Sequence, residues 1–197
     1  MAQNLVLASQ SPRRSELLKT LGMNFSVAPS HCDESIPPGL SPEEGALAVA
    51  KRKALAASDE AGEESFVLAA DTIVVAEGEI LGKPTDRADA ERMLWLLSGR
   101  AHEVITAVAL AHKTEIRAIA LSTEVTFREL DNAIVKWYLD SGEPFDKAGG
   151  YGIQGKGSAL VRSIKGSYTN VVGLPVAQTV ELLSQFGLSP WGAKEKR

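Results

Sequence analysis

The apolar segment from Phe66 to Val75 constrains the fold most strongly, because a run of this kind must be buried. Only Asp71 and Thr72, in its middle, interrupt the apolar side chains. The segment is too short to cross a bilayer as a helix, and its length and branched residues favour a strand. A carboxylate is costly to bury alone, so Asp71 either has a function or pairs with a nearby lysine at a strand bulge. Function is the stronger interpretation.

The rest of the chain alternates between predicted strands and helices. Ser11-Pro12 and Ser41-Pro42-Glu43-Glu44 are typical of helix N-termini, with a capping serine followed by proline. Strands are predicted at 5–8, 25–28, 66–75, 103–111 and 115–127, and helices at 12–21, 42–58, 87–97, 131–139 and 174–186. This order predicts an α/β fold with parallel and antiparallel pairing, in which the two long strands 103–111 and 115–127 pair with each other.

Composition excludes several classes of partner. The net charge of −4 argues against binding to nucleic acid or to an anionic membrane surface, since both require a broad basic surface. No apolar run is long enough to span a bilayer. The single cysteine cannot form an intramolecular disulfide, which favours a reducing compartment. We therefore expect a cytoplasmic protein that meets any anionic substrate with a local cluster of Lys and Arg.

The predicted start of the first helix is a candidate phosphate site. Arg13 and Arg14 lie in the first turn, where the helix dipole disfavours cations by a few tenths of a kcal/mol each. Free backbone N–H groups, the hydroxyls of Ser9 and Ser11 and the two guanidinium groups together could hold a polyphosphate. A solvated arginine pair at a helix end is the alternative, and this motif alone does not choose between them.

A glycine-rich segment at 142–173 contains the stretch DKAGGYGIQG. Glycines allow the backbone to approach a ligand closely, but they are equally typical of tight turns between strands. The three histidines and the cysteine lack metal-ligand spacing, and no Walker loop, dinucleotide fingerprint or nucleophile elbow is present. Local motifs therefore leave the chemistry open.

Taken together, the separated motifs resemble one family from about Leu5 to Leu188. The motifs are ASQSPRR, then Glu34, AKRKA, AADTIV, GKP, SGRAHEVITAV, EPFDKAGGYGIQG and GSYTNVVGLP. In this order they are similar to the Maf family of nucleoside triphosphate pyrophosphatases. Several motifs in one order are far more specific than any single motif. We accordingly expect one two-lobed domain at residues 1–188 and a polar tail at 189–197.

The resemblance implies a fold like that of the inosine triphosphate pyrophosphatases: a long mixed sheet, flanking helices and a cleft between two lobes, often in a homodimer. It implies hydrolysis between the α- and β-phosphates of a nucleotide with Mg²⁺ or Mn²⁺. By matching motifs, Asp71 is expected to be the general base, and Glu34, Lys53 and Lys83 to surround the phosphates and the metal. Glu34 and Asp71 are the expected metal ligands.

The resemblance also implies a base preference, through Arg13, Thr72 and Gln154. The branch of the family that acts on methylated guanine nucleotides has SPWR, DQ and a glutamate at these places, whereas this chain has SPRR, DT and YGIQG. A glutamine amide offers a donor and an acceptor to the uracil or thymine edge. We therefore expect hydrolysis of dTTP and UTP, with removal of non-standard pyrimidine nucleotides as a further role. CTP or another modified nucleotide as substrate, or a nucleotide-binding regulator of septum formation, are the alternatives.

Overall fold

A computed structural model describes residues 4–62 and 64–191 of the chain. The strands are β1 Leu5–Leu7, β2 Ser26–Val27, β3 Phe66–Ala76, β4 Glu79–Leu81, β5 Ala101–His112, β6 Glu115–Phe127 and β7 Val161–Lys165. The α-helices are α1 Pro12–Lys19, α2 Pro42–Ala61, α3 Arg87–Leu97, α4 Asn132–Leu139, α5 Tyr168–Val172 and α6 Val176–Ser184. Three short 3-10 helices lie at Glu143–Asp146, Ala148–Gly150 and Gly155–Ala159.

The described strands form one mixed sheet in the order β2-β1-β3-β5-β6-β7, with β4 paired to β3. Strand β1 is parallel to both β2 and β3, and Leu7 lies opposite Leu68. The pairs β3–β4 and β6–β7 are antiparallel. The predicted α/β fold with mixed strand pairing is confirmed, as is the pairing of β5 with β6.

Helices α1 and α2 begin where the capping signals predict. The Ser11 hydroxyl accepts from the N–H of Arg14, and the Ser41 hydroxyl accepts from the N–H of Glu44. The Glu44 carboxylate in turn accepts from the N–H of Ser41, which completes a capping box. Each cap uses a backbone donor that has no partner inside the helix, so local chemistry alone sets both starting points.

The described chain divides into two compact units. Among the described residues, unit 1 comprises 4–62, 64–71, 106–121 and 173–191, and unit 2 comprises 72–105 and 122–172. The core of unit 1 contains leucines of β1, α1, β3 and α6. The core of unit 2 contains side chains of α3, α4, β5 and β6 together with Tyr151 and Leu160.

The glycine-rich segment holds more regular structure than predicted. It contains β7, α5 and the three 3-10 helices, where the sequence indicated only turns or a ligand-binding loop. Strand β7 has no fully buried side chain, so the hydrophobic periodicity that reveals buried strands is missing. The pairing of β7 with β6 is a tertiary contact that local patterns do not report.

The predictions about membrane spans, the tail and the domain bounds meet the described residues only in part. Within the described residues, 4–62 and 64–191, no helix is both long and apolar enough to cross a membrane. Residues 192–197 of the predicted tail at 189–197 lie outside the described residues. The predicted domain of residues 1–188 stays a prediction.

His102 is a buried titratable group in the core of unit 2. It is 4% exposed, and its Nε2 lies 2.7 Å from the Tyr151 hydroxyl. Its Nδ1 has no hydrogen-bond partner among the described residues. The ring also meets those of Phe127 and Tyr151 edge-on. Burial lowers the pKa of His102 from 6.5 to about 4 and raises the pKa of Tyr151.

We predict that His102 makes folding stability fall as the solution is acidified. Since its folded pKa is depressed, the unfolded chain binds more protons between about pH 6.5 and about pH 4, and stability is lost as pH falls through that window. The loss between about pH 7 and pH 5 should be about 2 kcal/mol. Urea unfolding at the two pH values measures it.

His102→Gln removes the titrating group and should reduce this pH dependence by about that amount, whatever it does to stability at neutral pH. The exposed His31→Gln is the matched control and should keep the wild-type dependence. An unchanged pH dependence in His102→Gln would show that other groups cause the acid sensitivity.

Candidate active site

The turn between β1 and α1 gathers polar groups at the start of a helix. Ser9 is only 7% exposed, and its hydroxyl accepts from the N–H of Ser11 at 3.2 Å. Helix α1 has no acidic residue in its first turn to offset the dipole. Arg13 and Arg14 lie there instead, both half-buried. The structure therefore places the four predicted phosphate-binding residues, Ser9, Ser11, Arg13 and Arg14, in one turn of chain.

Arg14 also has a structural role that the sequence did not predict. Its Nε donates to the Gly173 carbonyl at 2.8 Å, and its Nη1 donates to the Ser9 hydroxyl at 3.3 Å. Burial lowers the pKa of Arg14, as does the neighbouring Arg13, while the negative charges of Asp71 and Glu34 act in the opposite direction. Arg14 therefore ties the start of α1 to a chain segment far away in sequence.

Lys53 joins the two carboxylates that the resemblance assigned to catalysis. Its Nζ lies 2.8 Å from Asp71 Oδ1 and 3.0 Å from Glu34 Oε2. The side chains of Lys53 and Asp71 are 9% and 13% exposed, whereas that of Glu34 is 52% exposed. The cluster therefore runs from a buried carboxylate, through a buried ammonium group, to a carboxylate in contact with water.

The position of Lys53 follows from the face of α2 that packs inward. The buried residues of this helix are Gly45, Ala46, Val49, Ala50, Lys53, Ala54 and Ala57, which recur every three or four residues. Lys53 is the charged member of that stripe. It can stay charged there because two carboxylates meet its ammonium group.

The loop that carries Glu34 is held against α2 by contacts that the sequence did not reveal. Arg52 donates to the carbonyls of Asp33 and Ser35 at 2.5 and 3.1 Å. A Cβ on Gly45 would lie 2.5 Å from Ile36 Cγ2, so α2 and the loop touch here, and a larger residue would force one of them to shift. Arg52 is thus a missed residue of the site, and its only sequence signal is its place beside Lys53 in AKRKA.

Glu34 and Asp71 have the right chemistry for a hard divalent cation. One carboxylate oxygen of each residue, Glu34 Oε2 and Asp71 Oδ1, lies within 3.0 Å of Lys53 Nζ. The described residues contain no group of three or more His, Cys, Asp and Glu that could hold a metal. Mg²⁺ is commonly bound by one or two carboxylates together with substrate phosphates and water. Two carboxylates suit such an ion by their donor chemistry, and they are too few for a closed zinc site.

The remaining predicted site residues belong to unit 2. Thr72 directly follows Asp71 in β3 and is half-buried. Lys83 is exposed beside Gly82, whose carbonyl accepts from the N–H of Gly149 at 3.0 Å. Gln154 is exposed at the start of the 3-10 helix Gly155–Ala159. Their roles in catalysis or base choice stay predictions.

The clustered groups of unit 1 can perform hydrolysis of a phosphate anhydride. A carboxylate can accept the proton of an attacking water. Guanidinium, ammonium and helix N-terminal N–H groups can stabilise the negative charge on phosphoryl oxygens. None of these steps needs a covalent intermediate.

Comparison with known proteins supports this chemistry. Residues 4–186 match the family model described as Maf-like protein. A dTTP/UTP pyrophosphatase from Anaeromyxobacter dehalogenans is 49% identical over 97% of this chain and 98% of its own length. One from Symbiobacterium thermophilum is 51% identical over 94% and 95%, and one from Bacillus velezensis is 46% identical over 95% and 99%.

Among solved structures, the nucleoside-triphosphatase or dITP/XTP pyrophosphatase from Mycobacterium abscessus aligns with 93% of this chain and 94% of its own. The sequence identity is 14% and the TM-score 0.44. Similarity at this level identifies neither a common activity nor a common substrate.

We predict that the two arginines of α1 differ in their effect on stability. Arg14→Ala should lower the free energy of unfolding by about 1–3 kcal/mol, because the buried Gly173 carbonyl loses a charged donor. Arg13→Ala is the matched control: it removes a cation from the same helix turn and should change stability by less than about 1 kcal/mol. Urea unfolding of both variants measures this. Equal losses would show that the Arg14–Gly173 bond is not a stabilising contact.

Proposed function

This chain belongs to the Maf family, and on that premise we propose that it hydrolyses dTTP and UTP at the α–β phosphate bond. The products are the nucleoside monophosphate and pyrophosphate. The observation that carries the proposal is the cluster of Lys53 with Asp71 and Glu34 in unit 1. Relatives of about half-identical sequence, matched over nearly their whole length, are named for this activity.

Asp71 is the proposed general base. A water oxygen attacks the α-phosphorus, the bond from that phosphorus to the bridging oxygen breaks, and pyrophosphate leaves. The proton of the water passes to a carboxylate oxygen of Asp71. Lys53 donates to Oδ1 at 2.8 Å and so fixes the orientation of this carboxylate. Glu34 shares the same ammonium group, which leaves Lys53 held between two carboxylates.

Glu34 and Asp71 are the proposed ligands of a divalent cation, Mg²⁺ or Mn²⁺. When bound, such an ion neutralises charge on the phosphate oxygens and on the leaving pyrophosphate. The same two residues can serve as ligands because carboxylate oxygens are hard donors suited to these ions. Their contacts with Lys53 leave further oxygen lone pairs for a metal.

The N-terminus of α1 is proposed to bind the phosphates. Arg14 already donates to Gly173 and Ser9, so we assign it mainly to shaping the turn. We assign direct contact with phosphate oxygens to Arg13, Ser11 and the backbone N–H groups of the first turn. Lys83 adds a further charge that can stabilise the transferring group.

Base choice is proposed to rest on Gln154, and Arg13 and Thr72 are proposed to contribute to base preference. The uracil and thymine edge has an N3–H donor between two carbonyl acceptors. The Gln154 amide supplies an acceptor and a donor to that edge. A nucleotide is the only partner that this function requires. A homodimer and a cytoplasmic location stay predictions.

The reaction itself gives a direct test. With Mg²⁺ or Mn²⁺, dTTP and UTP should yield monophosphate and pyrophosphate, since the proposed attack is at the α-phosphorus. Anion-exchange analysis of the products distinguishes this from release of orthophosphate. Formation of a nucleoside diphosphate, or full activity in excess chelator, would refute the proposal.

Asp71→Asn should lower turnover by about two orders of magnitude or more, because an amide cannot accept the proton of the attacking water. The amide oxygen can still accept from Lys53, so the fold should persist, and circular dichroism with thermal unfolding checks this. Asp140→Asn is the matched control, because Asp140 is an exposed surface carboxylate that pairs with Arg87 and Lys136. Near-normal turnover by a folded Asp71→Asn protein would assign the base to another group.

A further inference from the structure

Gln154 occupies the capping position of a short helix without capping it. It has extended backbone angles, φ −89° and ψ 163°, directly before the 3-10 helix Gly155–Ala159. Its side chain makes no capping hydrogen bond and is exposed. Serine, threonine, aspartate and asparagine usually satisfy the first N–H groups of a helix from this position, and glutamine is not among these residues. Another group must satisfy them here.

The Glu143 carboxylate satisfies those N–H groups instead. Its Oε1 accepts from the N–H of Lys156 at 2.9 Å, and its Oε2 accepts from the N–H of Gly157 at 3.2 Å. Gly155 has a φ of +66°, and a Cβ there would lie 2.8 Å from Glu143 Oε1. The backbone after Gln154 therefore lies directly against this carboxylate.

Two further side chains hold the chain just before Gln154. The hydroxyl of the fully buried Tyr138 accepts from the N–H of Gly152 at 3.1 Å. Lys147 lies against Gly152, where a Cβ would come within 2.8 Å of its methylene carbons, and its Nζ donates to the Glu143 carbonyl at 2.8 Å. Gly157 packs so closely on the Gly152 carbonyl that a Cβ would lie 2.1 Å from it.

These contacts close a small loop with Gln154 at its exposed side. The two ends of the loop meet where Gly157 packs against the Gly152 carbonyl. The side chains of Tyr138, Glu143 and Lys147 contact the backbone of this loop. Of these three side chains, Glu143 acts on the backbone that follows Gln154, because its carboxylate accepts from the N–H groups of Lys156 and Gly157. Carboxylate bonds to backbone N–H groups are among the stronger hydrogen bonds in proteins.

We propose that Glu143 is a positioning residue for base selection, acting through Gln154. By accepting from the N–H groups of Lys156 and Gly157, it fixes the backbone from which the Gln154 amide projects. The amide is then pre-organised for the edge of a pyrimidine base, and less ordering is needed when the nucleotide binds. This inference rests on the proposed function, because it assumes that Gln154 reads the base.

The test compares base selectivity in Glu143→Ala, Glu143→Gln and a matched control. Glu103→Gln is the control, because Glu103 lies in the same unit and accepts from the Ser122 hydroxyl rather than from loop backbone. The quantity measured is the ratio of kcat/KM for dTTP to that for GTP. Glu143→Ala should lower this ratio about tenfold, mainly through a higher KM for dTTP. Glu143→Gln, which keeps one acceptor, should lower it less, and Glu103→Gln should not change it.

The same substitution in a Gln154→Ala background shows whether Glu143 acts through Gln154. If it does, Glu143→Ala should change the ratio there by less than about twofold, because the two residues form one unit. An unchanged ratio in the wild-type background, or the same tenfold change without Gln154, overturns the inference. A purely structural role would lower kcat for both nucleotides alike and leave the ratio unmoved. If Glu143→Ala does not fold, Glu143→Gln carries the same comparison.

Calorimetric affinities for dTTP and GTP in the presence of Mg²⁺ separate this inference from the proposed function. They are measured with Asp71→Asn as the common background, so that hydrolysis does not interfere. If the Asp71→Asn protein binds dTTP selectively but the wild-type protein does not hydrolyse it, the proposed function is refuted. The ratio of the affinities for dTTP and GTP, compared with and without Glu143→Ala, would then still test the role of Glu143. If the Asp71→Asn protein, with Glu143 intact, binds both nucleotides equally, or neither, the inference is refuted as well.

Discussion

The ammonium group of Lys53, held between Asp71 and Glu34, is the interaction on which the candidate site depends. A lone carboxylate inside β3 would be expensive to bury, and so would a lone lysine on the inner face of α2. Paired at 2.8 Å, each reduces the cost of burying the other. The pair also orients Asp71, and Glu34 extends the cluster to water. Asp71 therefore does pair with a nearby lysine, and the same ion pair holds its carboxylate in place, while its role in catalysis stays a prediction.

A second theme is the use of side chains to satisfy backbone groups far away in sequence. Arg14 donates to the carbonyl of Gly173, Arg52 donates to the carbonyls around Glu34, and Glu143 accepts from the N–H groups after Gln154. In each case a charged group meets a backbone dipole of a loop, and such bonds are stronger than neutral ones. Loops otherwise lack the regular hydrogen bonds of helices and strands. These charged contacts give each proposed site loop a definite conformation.

Much of the fold could be predicted because local rules govern it. The serine caps located the starts of α1 and α2, and the apolar run located β3. The inward position of Lys53 also had a signal, since it lies in the small-residue stripe of α2. Strand β7 had none, because it has no fully buried side chain. The structural bond of Arg14 could not be predicted either, since its acceptor is 159 residues away along the chain.

The sequence by itself determined where most helices and strands begin, that the sheet is mixed, and that Asp71 is anomalous among its apolar neighbours. These properties depend on interactions over a few residues of chain, such as capping, periodicity and the cost of burying charge. Only the tertiary structure decided that Lys53 meets both Asp71 and Glu34, and that Glu143 caps the helix after Gln154. Those distances join groups that are separated along the chain, so they depend on how helices and loops pack and not on any local pattern.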